Sequence, residues 1–213
     1  MHLIHRGILS KDYKENNLRS FKASFKKGYG VETDIHVTKD NKFICFHDFT
    51  LKKTFKINKS IKNLNYKDLK NISKNNKIEI PLLKDLLTLS KTKHYLFIEI
   101  KPFFSKKLLK KLLKETNKFK KCVFISFKEK NIYDLLKIKK ETNVGLSFAS
   151  NISVKTIIKK SKNENVNCLI LHKYFINNKK IQEIKKNKYF YTIKNKKEFF
   201  RYSKKNNLIF ENL

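Results

Sequence analysis

The feature that most constrains this chain is an alternation. Short apolar runs of strand type begin at Leu3, Val31, Tyr95, Cys122, Val144, Cys168, Tyr189 and Leu208. Most are followed by a Lys-rich stretch whose apolar residues recur at helical spacing. Leu18, Phe21 and Phe25 form the first such stripe, capped by Asn16 or Asn17 and ended by Gly28 and Gly30. Pro81 opens a helix over 82–89, and further helices are predicted over 105–118, 131–141, 153–163, 179–186 and 196–204. Residues 51–80 are less regular, with one short helix over 66–72. Eight strands alternating with helices predict an α/β fold, a (β/α)8 TIM barrel abbreviated at the C-terminus, since no helix follows the last run. An open doubly wound sheet is the alternative, but no Gly-rich phosphate loop follows the first strand. Without an internal repeat or a linker, residues 1–213 are read as a single domain.

Composition bears on partners. Lys+Arg 51 against Asp+Glu 18 gives a formal charge of +33. Such a charge suits a polyanion or an anionic membrane. Abundant Lys, Asn, Ile and Phe with scarce Gly, Pro, Trp and Arg, and Lys spread along nearly every predicted helix, fits a residue-usage bias somewhat better, with Lys serving as solvated surface. Cys45, Cys122 and Cys168 lie far apart in apolar runs, so buried free thiols in a reducing compartment are expected. The first residues lead directly into a strand, and no apolar run reaches membrane-spanning length; the expected location is cytoplasmic.

The chemistry gathers in Val31 to Asp48. Glu32 and Asp34 alternate along a strand and share one face, with Thr33, Ile35 and Val37 on the other. A turn at 38–41 returns the chain through Phe43 to Phe46, which delivers His47 and Asp48. His5 and Arg6 end the first strand; Glu99 and Lys101 end the third. Carboxylates converging at a barrel mouth repel each other unless a cation sits between them. Three carboxylates and no thiolate favour a hard ion, Mg²⁺ or Ca²⁺. An E-x-D pair, an E-x-K pair or a histidine at a strand end is each, taken alone, more often structural; the joint pattern is what points to a site. His2, His36, His94 and His172 are read as structural or solvent-facing, His36 least securely because it shares the face of Glu32 and Asp34.

The motifs H-R-G at 5–7, E-N at 15–16, E-T-D at 32–34, T-K-D at 38–40, H-D at 47–48, I-P-L-L at 80–83 and I-E-I-K at 98–101 occur in one order. This set resembles the glycerophosphodiester phosphodiesterase family, densely over 3–101 and more loosely afterwards, through V-F-I-S-F at 123–127 and F-Y-T-I-K-N at 190–195. The resemblance implies a TIM barrel that hydrolyses glycerophosphodiesters to glycerol 3-phosphate and an alcohol with a divalent metal. By motif position it implies Glu32, Asp34 and Glu99 as metal ligands, His5 and His47 as the acid–base pair, and Arg6 and Lys101 as phosphate contacts. The attacking group in this family can be the substrate's own glycerol hydroxyl, giving a cyclic phosphate. Departures from the pattern are Asn17 for the usual Thr, Lys53 for an Arg after H-D, Tyr191 for a late Trp lining the substrate pocket, and 209–213 for the closing I-T-D-x-P. Two other readings remain: action on lysophospholipids at an anionic membrane, and an inert polyanion-binding barrel. No specific nucleic acid is expected, and the oligomeric state is open.

Overall fold

The computed structural model describes residues 1–11 and 13–211. Asp12 of the polar loop and the closing pair Asn212 and Leu213 lie outside the described residues. Among the described residues nine strands form one sheet: β1 (Leu3–His5), β2 (Gly30–Val37), β3 (Phe43–Cys45), β4 (Leu96–Ile100), β5 (Cys122–Ser126), β6 (Val144–Phe148), β7 (Cys168–His172), β8 (Asn187–Ile193) and β9 (Asn207–Phe210). Eight run parallel and close on themselves, because β1 pairs with both β2 and β9. β3 is antiparallel and pairs with the outer part of β2. The helices are α1 (Leu18–Lys26), α2 (Lys52–Phe55), α3 (Tyr66–Asn76), α4 (Leu83–Ser90), α5 (Lys106–Thr116), α6 (Glu129–Ile138), α7 (Val154–Ser161), α8 (Lys179–Gln182) and α9 (Lys196–Tyr202). This is the (β/α)8 barrel expected from the alternation.

Two apolar layers hold it together. Outward strand residues such as Ile4, Val31, Ile98 and Phe124 pack under the helices. Inward residues Leu3, Phe97, Val123, Ile125, Cys168, Ile170, Tyr189 and Ile209 fill the barrel. Period two along each strand therefore places Leu3 below His5 and Phe97 below Glu99. Apolar side chains plug the lower barrel, and charged ones crown it.

Several expectations shift. Gly28 ends α1 at φ +80°, but Gly30 is the first residue of β2. A Cβ on Gly30 would sit 2.7 Å from the Tyr95 carbonyl oxygen and 2.8 Å from Leu3 Cδ2, so strand packing requires glycine there. The helix expected over 179–186 ends at Gln182, because β8 begins at Asn187 and needs the intervening chain. α3 runs on to Asn76, and α6 starts at Glu129. Between β2 and β4 the chain leaves the barrel and builds a second small core from Ile44, Phe46, Leu51, Phe55, Ile61, Leu64, Leu69 and Ile80. That excursion includes the unforeseen α2 and anchors the loop carrying His47. No helix among the described residues is long and apolar enough to cross a membrane.

Candidate active site

The carboxyl ends of parallel barrel strands open on one face, where loops supply the chemistry. Register brings the charged residues together there: His5 lies opposite Glu32, and Asp34 opposite Glu99. The hairpin returns His47 to the same level, with the Phe46 amide donating to the Asp34 carbonyl at 3.0 Å. A cavity of about 200 Å³ opens between them. One wall is polar, with His5, Arg6, Glu32, His47, Glu99 and Lys101; the other is mostly apolar, with Ile125, Phe127, Ile170, Tyr191 and Ile209.

Glu32, Asp34 and Glu99 are all buried and place one carboxylate oxygen each within 4.8 Å of one another. Nearby cations offset part of their repulsion. Lys101 Nζ lies 2.9 Å from Glu99 Oε1 and 3.3 Å from Asp34 Oδ1; Arg6 Nε lies 2.9 Å from Asp34 Oδ2, without the alignment of a hydrogen bond. The Asn16 amide donates to Asp34 Oδ2 at 3.1 Å, and Thr33 Oγ1 donates to Asn16 Oδ1 at 2.8 Å. Asp34 therefore titrates below the usual carboxylate range: burial opposes this, but Arg6 and Lys101 outweigh it. Glu32 is driven well upward by burial and by the Asp34 and Glu99 charges. Glu99 rises to about 7, first through burial and then through Asp34. Glu32 Oε2 and Asp34 Oδ1 are buried and accept no hydrogen bond. An all-oxygen donor set with two orphaned acceptors fits a hard divalent cation.

This electrostatic frustration has a measurable consequence. Glu99 has its pKa raised from 4.5 to about 7, so the native chain keeps a proton that the unfolded chain has lost between those values. The parent must then lose stability relative to Glu99→Gln as pH rises through that window, by up to about 3 kcal/mol. Thermal melts of both proteins with chelator present, from pH 4.5 to 8, check this, and excess Mg²⁺ or Ca²⁺ should stabilise the parent more than the variant. A parent–variant gap that does not change with pH would contradict the account of Glu99.

The two histidines are each held by a carboxylate. His5 Nδ1 lies 2.5 Å from Glu211 Oε1, and His47 Nδ1 lies 2.7 Å from Asp48 Oδ1. Each arrangement leaves Nε2 as the free ring nitrogen, and His5 Nε2 is 3.7 Å from Glu32 Oε2. Burial lowers the His47 pKa, partly countered by Asp34.

A family model for the glycerophosphoryl diester phosphodiesterase family matches residues 5–210. The chain belongs to this family. Members are generally dependent on a divalent metal, in keeping with the acidic cluster. A glycerophosphodiester phosphodiesterase of Caldanaerobacter subterraneus subsp. tengcongensis is 29% identical over 161 residues, covering 68% of this chain and 65% of that protein. The chain thus spans just under two thirds of this curated relative's length. Among solved structures, the glycerophosphodiester phosphodiesterase of Thermotoga maritima superposes with a TM-score of 0.82 at 23% identity, covering 98% of this chain and 92% of that one. An Oleispira antarctica phosphodiesterase in complex with the product sn-glycerol-3-phosphate gives a TM-score of 0.83 at 20% identity, covering 98% and 91%. These likenesses place the fold among the family's barrels.

All eight residues singled out from the sequence reach this region. Seven line the cavity, and Asp34 is buried behind that lining, against Arg6 and Lys101. The remaining histidines do not line the cavity. His36 is buried, not solvent-facing: its Nε2 meets the His47 carbonyl at 3.1 Å, its ring sits edge-on to Phe49, and burial pushes its pKa down to about 4. His2 accepts from the Leu208 amide, His94 stacks on Phe25, and His172 accepts from the Tyr174 amide. Three residues that the sequence shows only as motif, cap or closing-segment positions support the site. Asn16 serves Asp34 while Asn17 alone caps α1; Glu15 reaches Arg6 Nη1 at 3.1 Å; Glu211 holds His5. Asp48, known only as part of a motif, orients His47. Local geometry explains the first of these. Arg6 and Gly7 take φ 56° and 82°, and a Cβ on Gly7 would strike Ser20 Oγ, so the chain turns tightly there beneath α1.

Proposed function

We propose that this chain hydrolyses glycerophosphodiesters to glycerol 3-phosphate and an alcohol, using one divalent cation, Mg²⁺ or Ca²⁺. The observation that carries the reading is the placement of three mutually repelling buried carboxylates beside two histidines, each oriented by its own carboxylate. Family membership and the activity for which the relatives are named support the substrate class. Glu32, Asp34 and Glu99 are the proposed ligands. Bound there, the cation would withdraw charge from the phosphoryl oxygens and so favour attack at phosphorus.

The chain's own residues supply the rest. Arg6 and Lys101 border the cavity and would turn donors toward the phosphate as its charge grows. One histidine takes the proton of the attacking hydroxyl. The phosphorus–oxygen bond to the alcohol breaks, and the other histidine protonates that oxygen. Attack by the neighbouring glycerol hydroxyl would give a cyclic phosphate, which water opens with the two roles exchanged. The apolar wall with Tyr191 would hold the carbon skeleton and keep bulk water from the reacting centre. Residues 1–213 are read as one catalytic domain. The three buried, unpaired thiols support a reducing, cytoplasmic setting.

A panel of glycerophosphocholine, glycerophosphoethanolamine and glycerophosphoglycerol tests the reading. Glycerol 3-phosphate should form from every member that turns over, together with the free alcohol. Release of phosphocholine, or no turnover with any divalent cation, would overturn it.

A further inference from the structure

We propose that the mouth of the barrel is a docking surface for an anionic lipid membrane, with aromatic side chains entering the interface and lysines facing the headgroups. The large apolar side chains left in solvent are not scattered. Phe49, Phe103, Phe127 and Tyr174 are 53%, 62%, 42% and 74% exposed. Each comes shortly after a strand at the active-site face, β3, β4, β5 and β7, Tyr174 in a short 3₁₀ turn over Lys173–Phe175. Phe49 meets the ring of His36 beside the His47 loop. Phe127 meets Tyr191, which lines the cavity. Tyr174 follows His172, whose ring also touches Tyr191. Among the described residues, the other exposed large apolar side chains lie elsewhere: Met1 and Tyr95 precede β1 and β4 at the opposite end, and Phe200 sits on the flank in α9.

Charge selects the occupant. Lys128 and Lys194 are exposed on loops of the same face, Lys52 and Lys53 are exposed at the start of α2 shortly after Phe49, and Lys128 Nζ stands 5.3 Å from the centre of the Phe103 ring. Aromatic rings interleaved with lysines match a bilayer's interfacial layer and anionic headgroups. A second copy of a chain with formal charge +33 would be repelled. The aromatics continue inward: Phe127 lines the cavity and reaches solvent, joining the apolar wall of Ile125 and Ile170 to the rim. That path suits a hydrocarbon chain attached to a headgroup in the site, whereas a stacked nucleic acid would need its bases presented across the rim. The docking surface rests on the phosphodiesterase reading for its purpose, bringing the site to phosphodiesters at a membrane; binding itself is measured separately.

The chain contains no tryptophan, so one introduced indole reports its own surroundings. Phe103→Trp and Phe200→Trp are compared on vesicles of equal parts phosphatidylglycerol and phosphatidylcholine at low salt. Phe103→Trp should shift to the blue and be quenched by brominated lipid, while Phe200→Trp should not respond. The double variant Phe103→Ser/Tyr174→Ser should bind these vesicles about tenfold more weakly and keep its turnover of soluble glycerophosphocholine. Equal response of both tryptophans, unchanged binding of the double variant, or tighter binding to a single-stranded oligonucleotide than to the vesicles would overturn the proposal. Vesicle binding with this pattern but no turnover of any diester would leave the surface standing and remove the hydrolase reading alone.

Discussion

Replacing Glu32 by alanine should lower glycerol 3-phosphate release by about three orders of magnitude, the rate equivalent of ~4 kcal/mol. Glu32 is buried, its Oε2 accepts no hydrogen bond, and burial with two neighbouring charges drives its pKa up. A side chain in that position is a liability to the fold unless a cation binds it. The same substitution should therefore leave the melting temperature of the chelated protein unchanged or raised, since it removes a buried carboxyl whose ionised form is opposed by burial and by Asp34 and Glu99. Activity lost with stability kept separates a role in binding a cation from a role in folding. Full activity in Glu32→Ala would remove Glu32 from the proposed site.

The second large effect belongs to the histidines. His5→Ala and His47→Ala should each reduce kcat about 10²–10⁴-fold, the range ordinarily supplied by a positioned acid or base. KM should change little, because neither ring is the main anchor of the phosphate. Their carboxylate partners act through them. Glu211→Gln and Asp48→Asn should lower kcat by less than loss of the ring does, because each carboxylate orients its ring through Nδ1, and Asp48→Asn should move the pH profile, since burial lowers the His47 pKa and the bond to Asp48 works against that. A kcat that ignores both histidines, or partner variants that alter only stability, would contradict the acid–base assignment.

The sequence made the site legible for a physical reason. Inside a small barrel every second strand residue should be apolar, so Glu32, Asp34 and Glu99 stand out on β2 and β4 against Val31, Ile35, Phe97 and Ile98. The supports were hidden because they join positions far apart in the chain. His5 and Glu211 are 206 residues apart, and Asn16 and Asp34 meet only after Arg6 and Gly7 turn the chain beneath α1. Lysine occupies helices and loops alike and so carries no boundary signal at helix ends; the helix predicted over 179–186 overruns the actual Lys179–Gln182 for that reason. The segment between β3 and β4 has no clean period because its apolar residues serve a separate small core.

The most direct test is metal removal and return with glycerophosphocholine as substrate. The protein is stripped with EDTA, passed free of chelator, and assayed for glycerol 3-phosphate before and after addition of Mg²⁺ or Ca²⁺. No release is expected from the stripped protein, with recovery on addition of at least one of the two ions and no recovery in Glu32→Ala. Undiminished release from the metal-free protein, or recovery in Glu32→Ala equal to that of the parent, would contradict it.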